Sequence, residues 1–234
     1  MRVIVTGASK GIGRGIATFL AMDGFQVALL ARSKDLLKDV RQSIEEHEGD
    51  CFSVACDLRD PDETEYAIGA AVEHFGGVDA LINNAGLVIR KSAFDISLDE
   101  WRAMVDTNIN GVFYATRAVL PHMKRQGSGH IINVSSISGR VPLPGGSGYA
   151  ATKFAVTGFS QSLLQEVRDF GIKVTTIYPG SVDSASHRHD PSEDAGWKVR
   201  PEEVGEACAH VLHTPPGTVI SELEIRPLGR PPKK

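Results

Sequence analysis

Tyr149 and Lys153 stand four residues apart, a spacing that puts a phenol and an ammonium on one face of a helix, one turn from each other. Just before them the hydroxyl pair Ser135 and Ser136 closes the short apolar run Ile131–Val134, which suits a buried strand. A phenol, an ammonium and a hydroxyl converging at a strand end can give a proton to a carbonyl oxygen or take one from an alcohol. A free phenol titrates near about 10, too high for a base at neutral pH. A lysine charge about 5–6 Å away, at an effective dielectric near 20, favours the phenolate by on the order of 3 kcal/mol. This machinery moves protons only, so a redox reaction needs a hydride partner from elsewhere in the chain.

The elements that must position these groups alternate in type. Strands are predicted at Arg2–Thr6, Gln26–Ala31, Cys51–Cys56, Asp79–Asn83, His130–Val134, Lys173–Tyr178 and Val219–Arg226. Helices are predicted at Ile12–Asp23, Lys34–Glu48, Pro61–Phe75, Leu98–Gln126, Tyr149–Phe170 and Pro201–His213. Helix starts carry their own signals: an Asp60 cap before Pro61, a Ser97–Glu100 capping box, and Pro201 followed by two acids. Gly171 is placed to end its helix. Strands alternating with helices imply an α/β fold, a doubly wound parallel sheet with helices on both faces. Ligands then bind outside the carboxyl ends of the strands.

The carboxyl end of the first strand opens into Thr6-Gly7-Ala8-Ser9-Lys10-Gly11-Ile12-Gly13. Glycines here allow a tight turn and close backbone approach, and the helix that follows offers its N-terminus to a pyrophosphate. The spacing G-x-x-x-G-x-G is neither G-x-G-x-x-G nor a P-loop. At the end of the second strand an NAD site places an acid for the ribose 2′-hydroxyl. This chain has Ala31-Arg32-Ser33 there, with Ser9 and Lys10 on the facing loop. Two cations and two hydroxyls favour a 2′-phosphate, hence NADP(H) over NAD(H).

With 234 residues, 41% of them hydrophobic and 23% charged, the chain suits one globular domain, 1–234, with a short lid segment at 184–198. A net charge of −4 provides no basic field for nucleic acid or anionic lipid. No apolar run approaches a membrane span of roughly 18 residues, and the first glycine turn comes too early for a secretory signal. Cys51, Cys56 and Cys208 cannot all pair and lack CxxC spacing, so a reduced, cytoplasmic protein is expected; Cys51 and Cys56 read as core or surface thiols. His187-Arg188-His189-Asp190 sits in a polar loop and is read as solvated rather than metal-binding; no metal is expected. Trp101 and Trp197 are read as core and lid packing.

Taken in order, TGASKGIG, Cys56-Asp57-Leu58, Asn83-Asn84-Ala85-Gly86, the Ser136/Tyr149/Lys153 set and Tyr178-Pro179-Gly180 resemble a short-chain dehydrogenase/reductase of the compact subgroup. The resemblance implies a Rossmann-type sheet of order 3-2-1-4-5-6-7 and hydride transfer with NAD(P)(H); joined to the cations and hydroxyls above, it gives hydride transfer between NADP(H) and a small carbonyl or alcohol. It implies that Asp57 and Leu58 lie beside the adenine, that Asn84, Ala85 and Gly86 pass along the ribose, and that Pro179, Gly180 and Val182 bracket the nicotinamide. Lys153 would also bind the nicotinamide ribose, and Asn108 would hold a water linking Lys153 to solvent. Ser136, not Ser135, has the family's spacing to Tyr149. Ser184 keeps a hydroxyl where the family pattern has threonine. A run of small residues along the helix from Tyr149 fits a homodimer or homotetramer contact. Two other functions fit the same scaffold: a non-catalytic dinucleotide-binding regulator, and a cofactor-using epimerase or dehydratase.

Overall fold

The computed structural model describes residues 1–184 and 196–229. The β-branched runs form seven strands: β1 (Arg2–Thr6), β2 (Gln26–Ala31), β3 (Cys51–Ala55), β4 (Ala80–Asn83), β5 (Gly129–Val134), β6 (Ile172–Pro179) and β7 (Glu222–Ile225). All pair in parallel, in the order β3-β2-β1-β4-β5-β6-β7. The helices are α1 (Gly11–Met22), α2 (Lys34–Glu45), α3 (Pro61–Phe75), α4 (Leu98–Val105), α5 (Gly111–Gln126), α6 (Ser147–Val167) and α7 (Pro201–Leu212). Both the expected fold class and the expected strand order hold.

Successive strand residues point to opposite faces, and the core divides accordingly. Val3, Val5, Val27, Leu29 and Ile132 pack with α1, α2 and α7 on one side. Ile4, Ala28, Leu30, Leu81 and Ile131 pack with α3, α5 and α6 on the other. Helix α1 crosses α7 with almost no spacing: a Cβ added at Gly15 would stand 2.4 Å from Pro201 Cβ, and one at Gly205 2.6 Å from Phe19 Cβ. That crossing anchors the helix whose N-terminus faces the glycine loop. The caps form as expected. Asp60 accepts from the Asp62 and Glu63 N–H groups, Ser97 and Glu100 make the reciprocal box, and Gly171 takes a left-handed φ of 71°.

Some expected elements change. The long helix predicted over Leu98–Gln126 is broken by a π turn at Asp106–Asn110, where Gly111 N–H reaches back to Asp106. Such turns concentrate at functional positions, and this one holds Asn108 at 0% exposure. Trp101 is not core: it is 41% exposed, with its indole beside Gly148 at the start of α6. The last strand is shorter than expected, since pairing with β6 extends only from Glu222 to Ile225. All three cysteines are buried, and burial pushes their thiols up to about 11, 11 and 12 for Cys51, Cys56 and Cys208. They are core residues. The Val182–Val199 bridge ties together the base of the segment expected as a lid; residues 185–195 of it, including His187 to Asp190, lie outside the described residues.

Candidate active site

The chain turns away from β1 towards β2 on one side and β4 lies on the other, so the crevice of a doubly wound sheet opens above this pair. A cleft of about 800 Å³ occupies it. Most of the residues singled out from the sequence line it: Gly7, Ser9, Lys10, Gly11, Ile12 and Gly13 on the first loop, Arg32 and Ser33 after β2, Asp57 and Leu58 after β3, Asn84 to Gly86 after β4, and Tyr149, Lys153 and Ser184.

The loop after β1 is built by backbone contact. Gly7 has φ +67°, and a Cβ there would lie 2.8 Å from Ala85 Cα. At Gly13 it would lie 2.2 Å from Gly7 O and 2.4 Å from the Asn84 amide. Only glycine fits, and the bare turn leaves the N-terminus of α1 open to an anion. This cradle suits the pyrophosphate of a dinucleotide. Thr6, which was not singled out, joins the two loops: its Oγ1 accepts from Asn84 N–H at 3.0 Å and from Ala85 N–H at 3.1 Å, while Asn84 Nδ2 donates to Thr6 O.

At the far end of the cleft Lys10 and Arg32 are exposed and neither has an ion-pair partner among the described residues. Ser33 caps α2, its Oγ accepting from Leu36 N–H, which leaves its proton free to donate. Asp57 is held by a bidentate fork from Arg59, with an N–O distance of 2.6 Å. That fork holds the carboxylate below its ordinary pKa, with Arg32 adding a smaller effect of the same sign. The Asp57 charge is thus largely spent before a cofactor arrives.

The groups expected to handle protons lie where β5 gives way to α6. Lys153 is 6% exposed; its Nζ donates to Val134 O at 2.9 Å and lies 6.0 Å from the centre of the Tyr149 ring. Burial pulls the ammonium down to about 8, so it stays charged by roughly ten to one at pH 7. The two serines separate by role. Ser135 Oγ donates to Lys153 O at 3.1 Å and is spent as a clamp between β5 and α6. Ser136 is extended and half-buried, and it is Ser135 rather than Ser136 that lines the cleft; the Ser136 Oγ accepts Ser138 N–H at 3.1 Å, so its hydroxyl proton remains to donate. Gly139 lets α6 come this close, since a Cβ there would meet Ser135 Oγ at 2.5 Å.

Asn108 reaches this point from the π turn. Its Oδ1 accepts Leu87 N–H at 2.7 Å, and its Nδ2 donates to Leu87 O at 2.9 Å and to Thr152 Oγ1 at 3.0 Å. Thr152 in turn donates to Tyr149 O. Both amide protons are spent on fixing the loop after β4 and the first turn of α6. A point beside Gly86 lies 3.6 Å from Asn108 Oδ1 and 3.7 Å from Lys153 Nζ, so the groups converge. Pro179, Gly180 and Val182 are not part of the cleft wall; Gly180 N–H is bonded to Ile225 O and Val182 pairs with Val199. Among the described residues no cluster of metal-ligating side chains occurs, and no helix is long and apolar enough to cross a membrane.

A family model described as short chain dehydrogenase matches residues 1–195. The chain belongs to the short-chain dehydrogenases. Among curated relatives, this short-chain dehydrogenase is 38% identical to an uncharacterized oxidoreductase of Staphylococcus aureus, over 96% of each chain. Among solved structures it is similar to an alcohol dehydrogenase of the archaeon Thermococcus sibiricus complexed with 5-hydroxy-NADP, with a TM-score of 0.91 at 30% identity over 99% of this chain and 98% of that one. It is also similar to serine dehydrogenase from Escherichia coli, with a TM-score of 0.86 at 33% identity over 97% and 98%. Thr6, Thr152 and Arg59, which sequence reasoning passed over, hold residues of the cleft in place, and Ser135, which it set aside in favour of Ser136, clamps Lys153 O. Thr6 lies inside a quoted motif, but its bonds to Asn84 and Ala85 join segments far apart in the chain, which spacing does not reveal.

Proposed function

We propose that this short-chain dehydrogenase transfers hydride between NADP(H) and a small carbonyl or alcohol, with Tyr149 as acid and base. The observation that carries this is that Tyr149 and a buried Lys153 line one dinucleotide-sized cleft together with the glycine loop, with the Ser136 hydroxyl one residue beyond the cleft-lining Ser135. Bound NADPH supplies the hydride. Gly7 to Gly13 hold its pyrophosphate, and Lys10, Arg32, Ser9 and Ser33 hold the 2′-phosphate. Asp57 and Leu58 flank the adenine and Asn84 to Gly86 the ribose; Pro179 to Val182, which stand outside the cleft wall, would have to approach the nicotinamide end to frame it. The NADP analogue in the archaeal alcohol dehydrogenase supports this preference.

In reduction Tyr149 gives its proton to the carbonyl oxygen while Ser136 donates a hydrogen bond that holds that oxygen in place. Lys153 keeps a positive charge beside the phenol, which stabilises its anion and lets Tyr149 act as base in the reverse direction. Asn108 is a positioning residue. With both amide protons spent, a water between Lys153 and solvent has to be held by its main-chain carbonyl or by the remaining lone pair of Oδ1. Loss of NADPH absorbance against a panel of carbonyls, for the native chain and Tyr149→Phe, tests the reading. Equal turnover by both would end it.

The chain works as a homodimer or homotetramer. An apolar groove of about 450 Å³ between α5 and α6, lined by Phe113, Phe159 and Phe170, also carries Arg117, Lys124 and Glu166. Sedimentation of Phe113→Asp, expected to shift toward monomer, tests it.

A further inference from the structure

Among the described residues that line the cleft, Lys10, Arg32, Arg59 and Lys153 are cations and Asp57 is the sole carboxylate. Asp57 also stands next to Arg32. Strands β2 and β3 run in parallel with Ala31 opposite Ala55, and Cys56 N–H donates to Ala31 O at 2.9 Å. Arg32 and Asp57 therefore leave neighbouring strand ends side by side. The other acids of this loop are spent within the fold: Asp60 caps α3, and Glu63 accepts the Asp57 N–H at 2.9 Å.

The cover over Asp57 is made locally. Asp57-Leu58-Arg59-Asp60 is a turn closed by Asp60 N–H to Asp57 O at 2.9 Å, with Leu58 buried inside it. Arg59 N–H donates to Asp57 Oδ1 at 3.1 Å, its Nε lies 3.0 Å from both carboxylate oxygens, and its Nη2 donates to Oδ2 at 2.6 Å. One guanidinium thus engages both oxygens, the geometry in which such a pair is strongest.

We propose that Arg59 sets the preference for a 2′-phosphorylated cofactor by covering Asp57, so that the one acid lining the cleft does not repel the phosphate. This rests on reading the cleft as the NADP(H) site. Arg59 is a positioning residue: it acts through Asp57, while Lys10 and Arg32 make the contact. An acid at a strand end is the device that selects an unphosphorylated ribose. This chain has none after β2 but keeps one after β3, and the guanidinium neutralises it in place. Without Arg59, the bare carboxylate would oppose the pull of Lys10 and Arg32 from the next strand.

Calorimetric titration with adenosine 2′,5′-bisphosphate and with 5′-AMP tests this without turnover, because the two ligands differ only in the 2′-phosphate. The ratio of their affinities is compared in the native chain, in Arg59→Gln and in Arg59→Gln/Asp57→Asn. A bare carboxylate near a phosphate of roughly two charges, partly screened by solvent, should cost about tenfold. The native chain should prefer the bisphosphate. Arg59→Gln should lose that factor in the ratio and keep its 5′-AMP affinity, and the double variant, which restores the native net charge, should recover it. Both ligands weakening together in Arg59→Gln would reduce Arg59 to a brace for the turn and overturn the inference. A double variant as poor as Arg59→Gln would place Arg59 on the phosphate itself, and would overturn it too. Either result leaves the cofactor reading standing, whereas a native chain with no preference for the bisphosphate overturns both.

Discussion

The two ends of the cleft are made in different ways. At the glycine loop the backbone does the work: Gly7 and Gly13 leave no room for a Cβ, and the specificity lies in atoms that are missing. Where β5 meets α6, side chains do the work, and each is held by another part of the fold: Lys153 by Val134 O, Asn108 by Leu87, Ser135 by Lys153 O. A backbone-built site fails sterically when a side chain is added, whereas a side-chain site loses its chemistry while its packing survives. The first should lose ligand and the second should lose rate.

The largest expected effect is at Tyr149. Tyr149→Phe removes the proposed proton donor and keeps the ring, so turnover should fall by about 10²–10⁴-fold with NADPH affinity, read by fluorescence, within about twofold. A parallel loss of affinity would merge the two ends of the cleft into one. Gly13→Ala should do the reverse. The added methyl meets Gly7 O at 2.2 Å, overpacking of this kind costs about 1–3 kcal/mol, and NADPH binding should weaken before stability fails. Retained affinity would show that the loop shifts freely and that its fit is not built by backbone contact.

A comparison along β5 sharpens the point. His130, at the other end of that strand, is buried with Nε2 2.8 Å from Thr175 Oγ1. Because Thr175 donates to Ile220 O, the imidazole must donate, as a neutral ring. Burial, with a smaller effect from Lys173, lowers its pKa from 6.5 to about 4. Between those values the unfolded chain binds a proton that the folded one does not, so stability should fall as pH drops from 6.5 towards 4, by about 3 kcal/mol in all. Urea melts at pH 7 and pH 5 on the native chain and His130→Asn would show it; an equal pH dependence in both would assign the effect elsewhere. The smallest change expected is in cofactor choice. Arg32→Asp should move the kcat/KM ratio of NADPH to NADH about tenfold towards NADH, and an unchanged ratio would leave the 2′-phosphate to Lys10.

The order of strands, the glycine loop, the capping boxes and the Tyr149–Lys153 pairing were all legible, because each is a local pattern with a local cause: alternation, missing side chains, hydroxyls before acids, a four-residue helical step. What the sequence could not indicate depends on segments distant along the chain. Nothing near Asn108 distinguishes a continuous helix from one opened by a π turn, because the turn answers to Leu87 and Thr152. Trp101 reads as core by composition, yet the packing of α4 leaves it 41% exposed. Ser135 and Ser136 are chemically identical until α6 lies over the first and claims it for Lys153 O. The amino-acid order therefore determined which groups exist and which elements carry them. Packing alone decided which of those groups are already satisfied, since a hydrogen bond between remote residues leaves no periodic trace in either one's neighbourhood.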